Sequence, residues 1–364
     1  MSSGKHLILL GTHDVYIHSV EFDPTAKTLT PVHKTEMSRD PSWLTRHPAI
    51  PDIVYANGHV EGKVFCLRVG EDGRVDVLDE AVSGGGGPTH LAVMWDHSAL
   101  LIAHYGKDIG SLASLPLDPS TGRFLQPKTI PQHAFFPPYT PSTHPRLDAP
   151  HVHQVIVHDE EIITCDLGNN KVWRLRLGGP DDETRWVVKG VIEDFEAADG
   201  PRHAVVHPNG QYIYVLNELS SFLTVHTLPP SGPSRLVQRY PIRPEHDRST
   251  SQMLGAEILL LPPTIPSGDS LLILSNRFSA APQGDALALF TVSPDGGVVQ
   301  PAKVPYIWGI GRHIRALDSD PSGRYVVAAG RDEGGVVVLE RTEDGLVEMA
   351  RADIPNVVVP LWIK

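Results

Sequence analysis

Two cysteines are all that 364 residues contain, and Cys66 and Cys165 each sit inside an apolar run, VFCLRV and IITCDL. They are too few for a disulfide framework and read as reduced core thiols, which makes a cytoplasmic location the expectation. Basic charge is also scarce: 31 Lys and Arg stand against 43 Asp and Glu, a formal charge of -12. Nucleic acid or an anionic membrane surface would call for a basic face, so neither is an expected partner. No apolar stretch approaches a membrane span, and the short run after Lys5 falls short of a signal-peptide core, so no targeting is expected. Long helical patterns are absent, as is the G-x-S-x-G of a serine nucleophile. The glycine run Gly84 to Gly87 leads into Pro88 and a strand rather than a helix, which fits a turn and not a phosphate loop.

What the chain does have is repetition. A β-rich run, a short polar break and a second β-rich run recur seven times: HLILLGTH with YIHSVEFD, DIVYANGH with KVFCLRVG, ALLIAHYG with SLASLPLD, EIITCDLG with KVWRLRLG, YIYVLNEL with LTVHTLPP, LLILSNRF with ALALFTVS, and YVVAAGRD with GVVVLERT. A further short element precedes most pairs, as in PSWLTRHP, PTHLAVMWD, HVHQVIVHD, PRHAVVHPNG and IRALDSDPSG, with weaker versions at GAEILLLPP and NVVVPLW. Successive copies lie about 45 to 62 residues apart, the spacing of four-stranded propeller blades. The 33 Pro and 32 Gly supply turns between many short strands. The expected fold is all-β: one seven-bladed β-propeller over 1–364 with four-stranded antiparallel blades. Its closing blade is shared by the N- and C-terminal segments, which removes an open sheet edge. A β-sandwich or solenoid is the alternative. The stretch of about 125–150, rich in Pro, His and aromatics, reads as a loop over one face that could serve as a lid.

Two registers collect polar side chains. Arg202 lies six positions before Pro208, Arg315 six before Pro321, and His153 six before Asp159. A polar residue at one recurring slot of an otherwise apolar strand implies a shared wet surface, and the first strand of a propeller blade lines the channel. The second register is the polar break: His104 and Tyr105, Asp166, Asn217 and Glu218, Asn276 and Arg277, Arg331 and Asp332. These residues end one strand of each blade and belong on one rim. Inter-blade ion pairing is the structural alternative to a site.

The strings PHVHQV at 150–155, CDLGNNKVW at 165–173, GPRHAVVHPNGQYIYVLNEL at 200–219, SNR at 275–277 and IRALDSDPSGRYVVAAG at 314–330 resemble the seven-bladed propeller lactonase family. That family includes propeller-type 6-phosphogluconolactonases and carboxy-cis,cis-muconate cyclase. PHVH and DLG look more like the lactonase branch. The resemblance implies that His153, Arg202, Glu218 and Arg277 match the family's active-site histidine, arginine, glutamate and second arginine. His151 is a rival for His153, because the turn at Asp159 is shortened. Arg315, His104 and Asp166 join His151 as candidate substrate-binding residues.

Opening a lactone needs a base for water, an acid for the leaving alkoxide, and fixed cations for the oxyanion. Glu218 and His153 supply the acid and base, in either order, while Arg202 and Arg277 supply charge. The implied substrate is a small anionic lactone of the 6-phosphogluconolactone type. The same set could run a cycloisomerisation between 3-carboxy-cis,cis-muconate and its lactone, with arginines clamping carboxylates. A non-catalytic propeller that binds a partner also stays open. No cofactor is expected, and no metal: His151 and His153 share a strand face without the remaining ligands. Oligomeric state has no signal in the sequence.

Overall fold

The computed structural model describes residues 4–106, 110–125, 132–139, 142, 144–178, 186–245 and 253–364. The described residues form seven sheets of four strands each. Sheet I joins Val357–Trp362 to His6–Thr12, Tyr16–Asp23 and Thr28–Glu36. Sheet II is Leu44–Arg46, Ile53–Gly58, Lys63–Val69 and Val75–Val82, and sheet III is Pro88–Val93, Ala99–His104, Ser111–Pro116 and Gln132–Phe135. Sheet IV holds Val152–His158, Glu161–Asp166, Lys171–Leu177 and Trp186–Ile192. Sheet V holds Pro201–Val206, Tyr212–Asn217, Phe222–Thr227 and Leu236–Pro241. Sheet VI is Leu254–Leu261, Ser270–Arg277, Leu287–Val292 and Val299–Ile307, and sheet VII is Arg312–Ser319, Tyr325–Glu333, Gly335–Thr342 and Gly345–Ala352.

The chain forms two compact units. One comprises Met1–Glu36, His203–Leu228 and Leu236–Lys364; the other comprises Met37–Arg202 and Pro229–Arg235. In the first, Ile8, Phe22, Tyr325, Val338 and Trp362 pack into one apolar cluster, and Ile273, Leu289, Val326 and Leu339 pack into a second. In the other unit, Tyr55, Leu91, Leu100 and Phe124 form one cluster, and Met94, Leu101, Val155 and Trp173 form another. Each fully buried Leu, Ile or Phe contributes about 1.5–3 kcal/mol. Strands such as Ile53–Gly58, Ala99–His104 and Ser270–Arg277 are buried at every position. Covered on both faces, they read in sequence as continuous apolar runs. Outer strands such as Thr28–Glu36 are mostly exposed.

All seven repeated strand pairs are adjacent strands within their sheets. The shared closing sheet is present too: Ile8 pairs with Trp362 and Gly11 with Val359. The shortened turn of sheet IV is a two-residue hairpin, with His158 opposite Glu161 and Asp159 at φ 50°. The stretch at 125–150 differs from the expected loop, because Gln132–Phe135 is the outer strand of sheet III, pairing Phe135 with Leu112. The remainder of that expectation at 126–131, 140, 141 and 143 lies outside the described residues.

Candidate active site

The polar break at the end of each buried strand resolves into two positions with different work. The first residue of the break is buried and bonded to the loop beside it. Asn57 Oδ1 accepts the Trp43 N–H at 2.7 Å, and Asn276 Oδ1 accepts that of Ala286 at 3.2 Å. Asp166 accepts from the His151 N–H at 2.9 Å, from both Asn169 nitrogens, and from the Trp173 indole at 3.0 Å. His104 stands at the same position, its Nδ1 3.2 Å from Ser111 Oγ. Burial, outweighing hydrogen bonds involving Ser111 and Ser83, pushes the His104 imidazole down to about 4. These groups satisfy buried backbone and side-chain partners. The next residue along is Tyr105 in sheet III, Glu218 in sheet V, Arg277 in sheet VI and Arg331 in sheet VII.

In the unit that carries sheets V to VII, Glu218 and Arg277 are brought together. The Arg277 guanidinium lies 3.2 Å from the Glu218 carboxylate, and the two residues are 4% and 2% exposed. Arg277 Nη2 also donates to the Gly255 carbonyl at 2.8 Å. A Cβ at Gly255 would stand 2.8 Å from Leu216 Cδ1 and 3.0 Å from the Asn217 carbonyl, so the close approach of these chains needs glycine there. His313 lies nearby, its ring edge-on to Phe278 at 4.8 Å and its backbone N–H donated to the Asp285 carboxylate. Its φ of 62° is unusual for a residue with a side chain. Burial first, then the charges of Arg277, Arg331 and Arg315, hold the His313 imidazole well below the usual range, with Asp332 opposing. Arg315 itself is half-buried on the inner strand of sheet VII, where the pairing slips between Ile314 and Leu317. Such bulges re-aim side chains.

In the other unit, His153 occupies the corresponding bulge of sheet IV, between Val152 paired with Asp166 and Gln154 paired with Cys165. The buried His153 ring meets Tyr105 edge-on at 5.8 Å, while His151 stacks on the same ring at 4.3 Å and 9°. His151 Nδ1 is 2.8 Å from the Tyr105 carbonyl and Nε2 2.9 Å from the Asp148 carboxylate. With an acceptor at each nitrogen, the His151 ring anchors the segment around Asp148. Gly168 allows that segment to lie close, since a Cβ there would fall 1.7 Å from the Ala149 carbonyl. Arg202 is buried on the inner strand Pro201–Val206 of sheet V. Tyr105 appeared in the sequence register but not among the candidates; the two histidines around its ring reveal its place. His313 and Asp148 carried no sequence signal.

Among the described residues, no group of three or more His, Cys, Asp or Glu could hold a metal ion, and no helix is long and apolar enough to cross a membrane.

A family model described as "Lactonase, 7-bladed beta-propeller" matches residues 8–364. The chain is 24% identical over 356 residues to the 6-phosphogluconolactonase of Bacillus subtilis, covering 96% of this chain and 93% of the relative. Among solved structures, a Bacteroides fragilis protein superposes with a TM-score of 0.83 at 20% identity, covering 100% of this chain and 99% of the other. The periplasmic gluconolactonase of Pseudomonas aeruginosa gives 0.82 at 20% identity, with 99% of each chain covered.

Proposed function

This chain belongs to the lactonase family of seven-bladed β-propellers, its four-stranded sheets being the blades, and on that footing we propose that it is an enzyme hydrolysing an anionic sugar-type lactone. The compound in the Bacillus subtilis relative's name, 6-phosphogluconolactone, is the first candidate. The observation that carries the reading is the buried Glu218–Arg277 pair at 3.2 Å, with the same guanidinium nitrogen, Nη2, also donating to the Gly255 carbonyl at 2.8 Å. A carboxylate paired in this way is a proton acceptor, and a guanidinium so fixed is a preorganised cation.

In the proposed reaction, water adds to the lactone carbonyl as Glu218 takes one of its protons. The ring C–O bond then breaks, and Glu218 passes that proton on to the departing alkoxide, leaving a hydroxy acid and the Glu218 carboxylate. Arg277 holds the negative charge that develops on the carbonyl oxygen. Arginine stays protonated throughout and serves neither as acid nor as base. Asp166 acts as a positioning residue, through the His151 backbone and Trp173.

Turnover on a small panel tests this: 6-phosphogluconolactone, uncharged gluconolactone and 3-carboxy-cis,cis-muconate. The expected result is proton release from the two lactones, with higher kcat/KM for the phosphorylated one. Loss of diene absorbance from the muconate without lactone hydrolysis would replace hydrolysis by cyclisation. Inactivity on all three would remove the enzymatic reading.

A further inference from the structure

The tetraglycine run, read in sequence as a turn, forms part of the wall of a cavity of about 790 Å³. The lining includes Gly86, Gly87, Gly106, His59, Arg146 and His151, all within one compact unit. That volume is in the range of small-molecule sites. The Gly86 carbonyl accepts the Gly106 N–H at 2.8 Å, and the Gly87 carbonyl accepts that of Tyr105 at 3.0 Å, so the run is pinned against the end of sheet III. A Cβ at Gly86 would meet only the Gly106 Cα, at 3.8 Å. Missing side chains, and not backbone constraint, keep this part of the cavity open.

The polar groups are arranged for an anion that also carries hydroxyls. Arg146 donates to the Tyr105 hydroxyl at 2.9 Å, which holds its guanidinium at the wall. Asp148, the acidic group in the lining, has its carboxylate engaged by His151 Nε2 at 2.9 Å. His59 Nδ1 lies 2.9 Å from the Pro88 carbonyl, an acceptor only, so Nδ1 carries the proton and Nε2 accepts. A cation and a hydroxyl acceptor beside glycine backbone, in a protein of charge -12, select a small anion locally.

We propose that this cavity binds a small hydroxycarboxylic acid, with Arg146 taking the carboxylate and His59 a hydroxyl. The choice of hydroxycarboxylate among small anions rests on the lactonase reading, since lactone opening releases that class of compound. The test is calorimetric titration of D-gluconate into the full chain, its Gly86→Leu and Arg146→Met variants, and Glu218→Gln. Gly86→Leu fills the cavity from a position with room for a side chain, and Arg146→Met removes the cation from a half-buried site while keeping most of the side-chain volume. Each is expected to weaken binding by more than about tenfold, while Glu218→Gln keeps the wild-type affinity. Wild type that does not bind gluconate, or binding unchanged in both cavity variants, overturns the proposal whatever the enzyme turns over. Binding lost in Glu218→Gln and kept in the cavity variants also overturns it. A chain that hydrolyses no lactone but shows the expected variant pattern keeps the cavity site and removes the lactonase reading alone.

Discussion

Replacing Arg277 by Met should deprive the buried Glu218 carboxylate of the Arg277 guanidinium. At 3.2 Å the attraction between Glu218 and Arg277 is about 5 kcal/mol at an effective dielectric of about 20. Met keeps most of the side-chain volume, so the cost is mainly electrostatic. Breaking a buried pair from one side costs about 3–5 kcal/mol. The variant can recover part of this by protonating Glu218, whose pKa desolvation would then raise above its unfolded value. The sign follows: between those two values the folded variant binds more protons than the unfolded chain, so its stability falls as pH rises and returns on acidification from neutrality. Urea unfolding followed by fluorescence of the six tryptophans, at several pH values from about 5 to 8, measures this. Adding Glu218→Gln to Arg277→Met should restore most of the loss, a coupling of about 2 kcal/mol or more. A loss below about 1 kcal/mol that is flat with pH, or additive single changes, would refute a desolvated ion pair.

Three further outcomes follow from buried groups. Because burial holds His104 at about 4 against an ordinary 6.5, the unfolded chain gains its proton first as pH falls, and up to about 3 kcal/mol should be lost between those values; His104→Gln should flatten that part of the stability profile. Gly168→Ala would force the Ala149 carbonyl away from a Cβ built 1.7 Å from it, so thermal unfolding should show a loss above about 2 kcal/mol. Burial pushes the Cys66 thiol up to about 12 and raises Cys165 as well, so a thiol reagent should label neither in the native protein and both in denaturant.

The repeats were legible because a strand covered on both faces must be apolar along its length. Ile53–Gly58 and Ala99–His104 announce themselves in this way, and the closing sheet followed from an apolar NVVVPLW with no strand pair after it. Gln132–Phe135 was hidden, because four residues of an outer strand carry neither alternation nor an apolar run. The candidate site was legible in the kinds of residue it gathers more than in their positions. Sequence puts Asp166 and Glu218 in the same polar break, yet a shift of one residue makes the first a loop fastener and the second the partner of Arg277. His313 could not be seen, because its φ of 62° and the arginines around it come from the folded backbone. Gly255 explains the weak match of GAEILLLPP, where packing against Leu216 and Asn217 demands glycine.

The most direct test of the account is kcat/KM for hydrolysis of 6-phosphogluconolactone by wild type and Glu218→Gln, with both proteins shown to be folded by circular dichroism. The account predicts wild-type turnover above the buffer rate and a fall of about a hundredfold or more in the variant. Equal rates in the two proteins would contradict it.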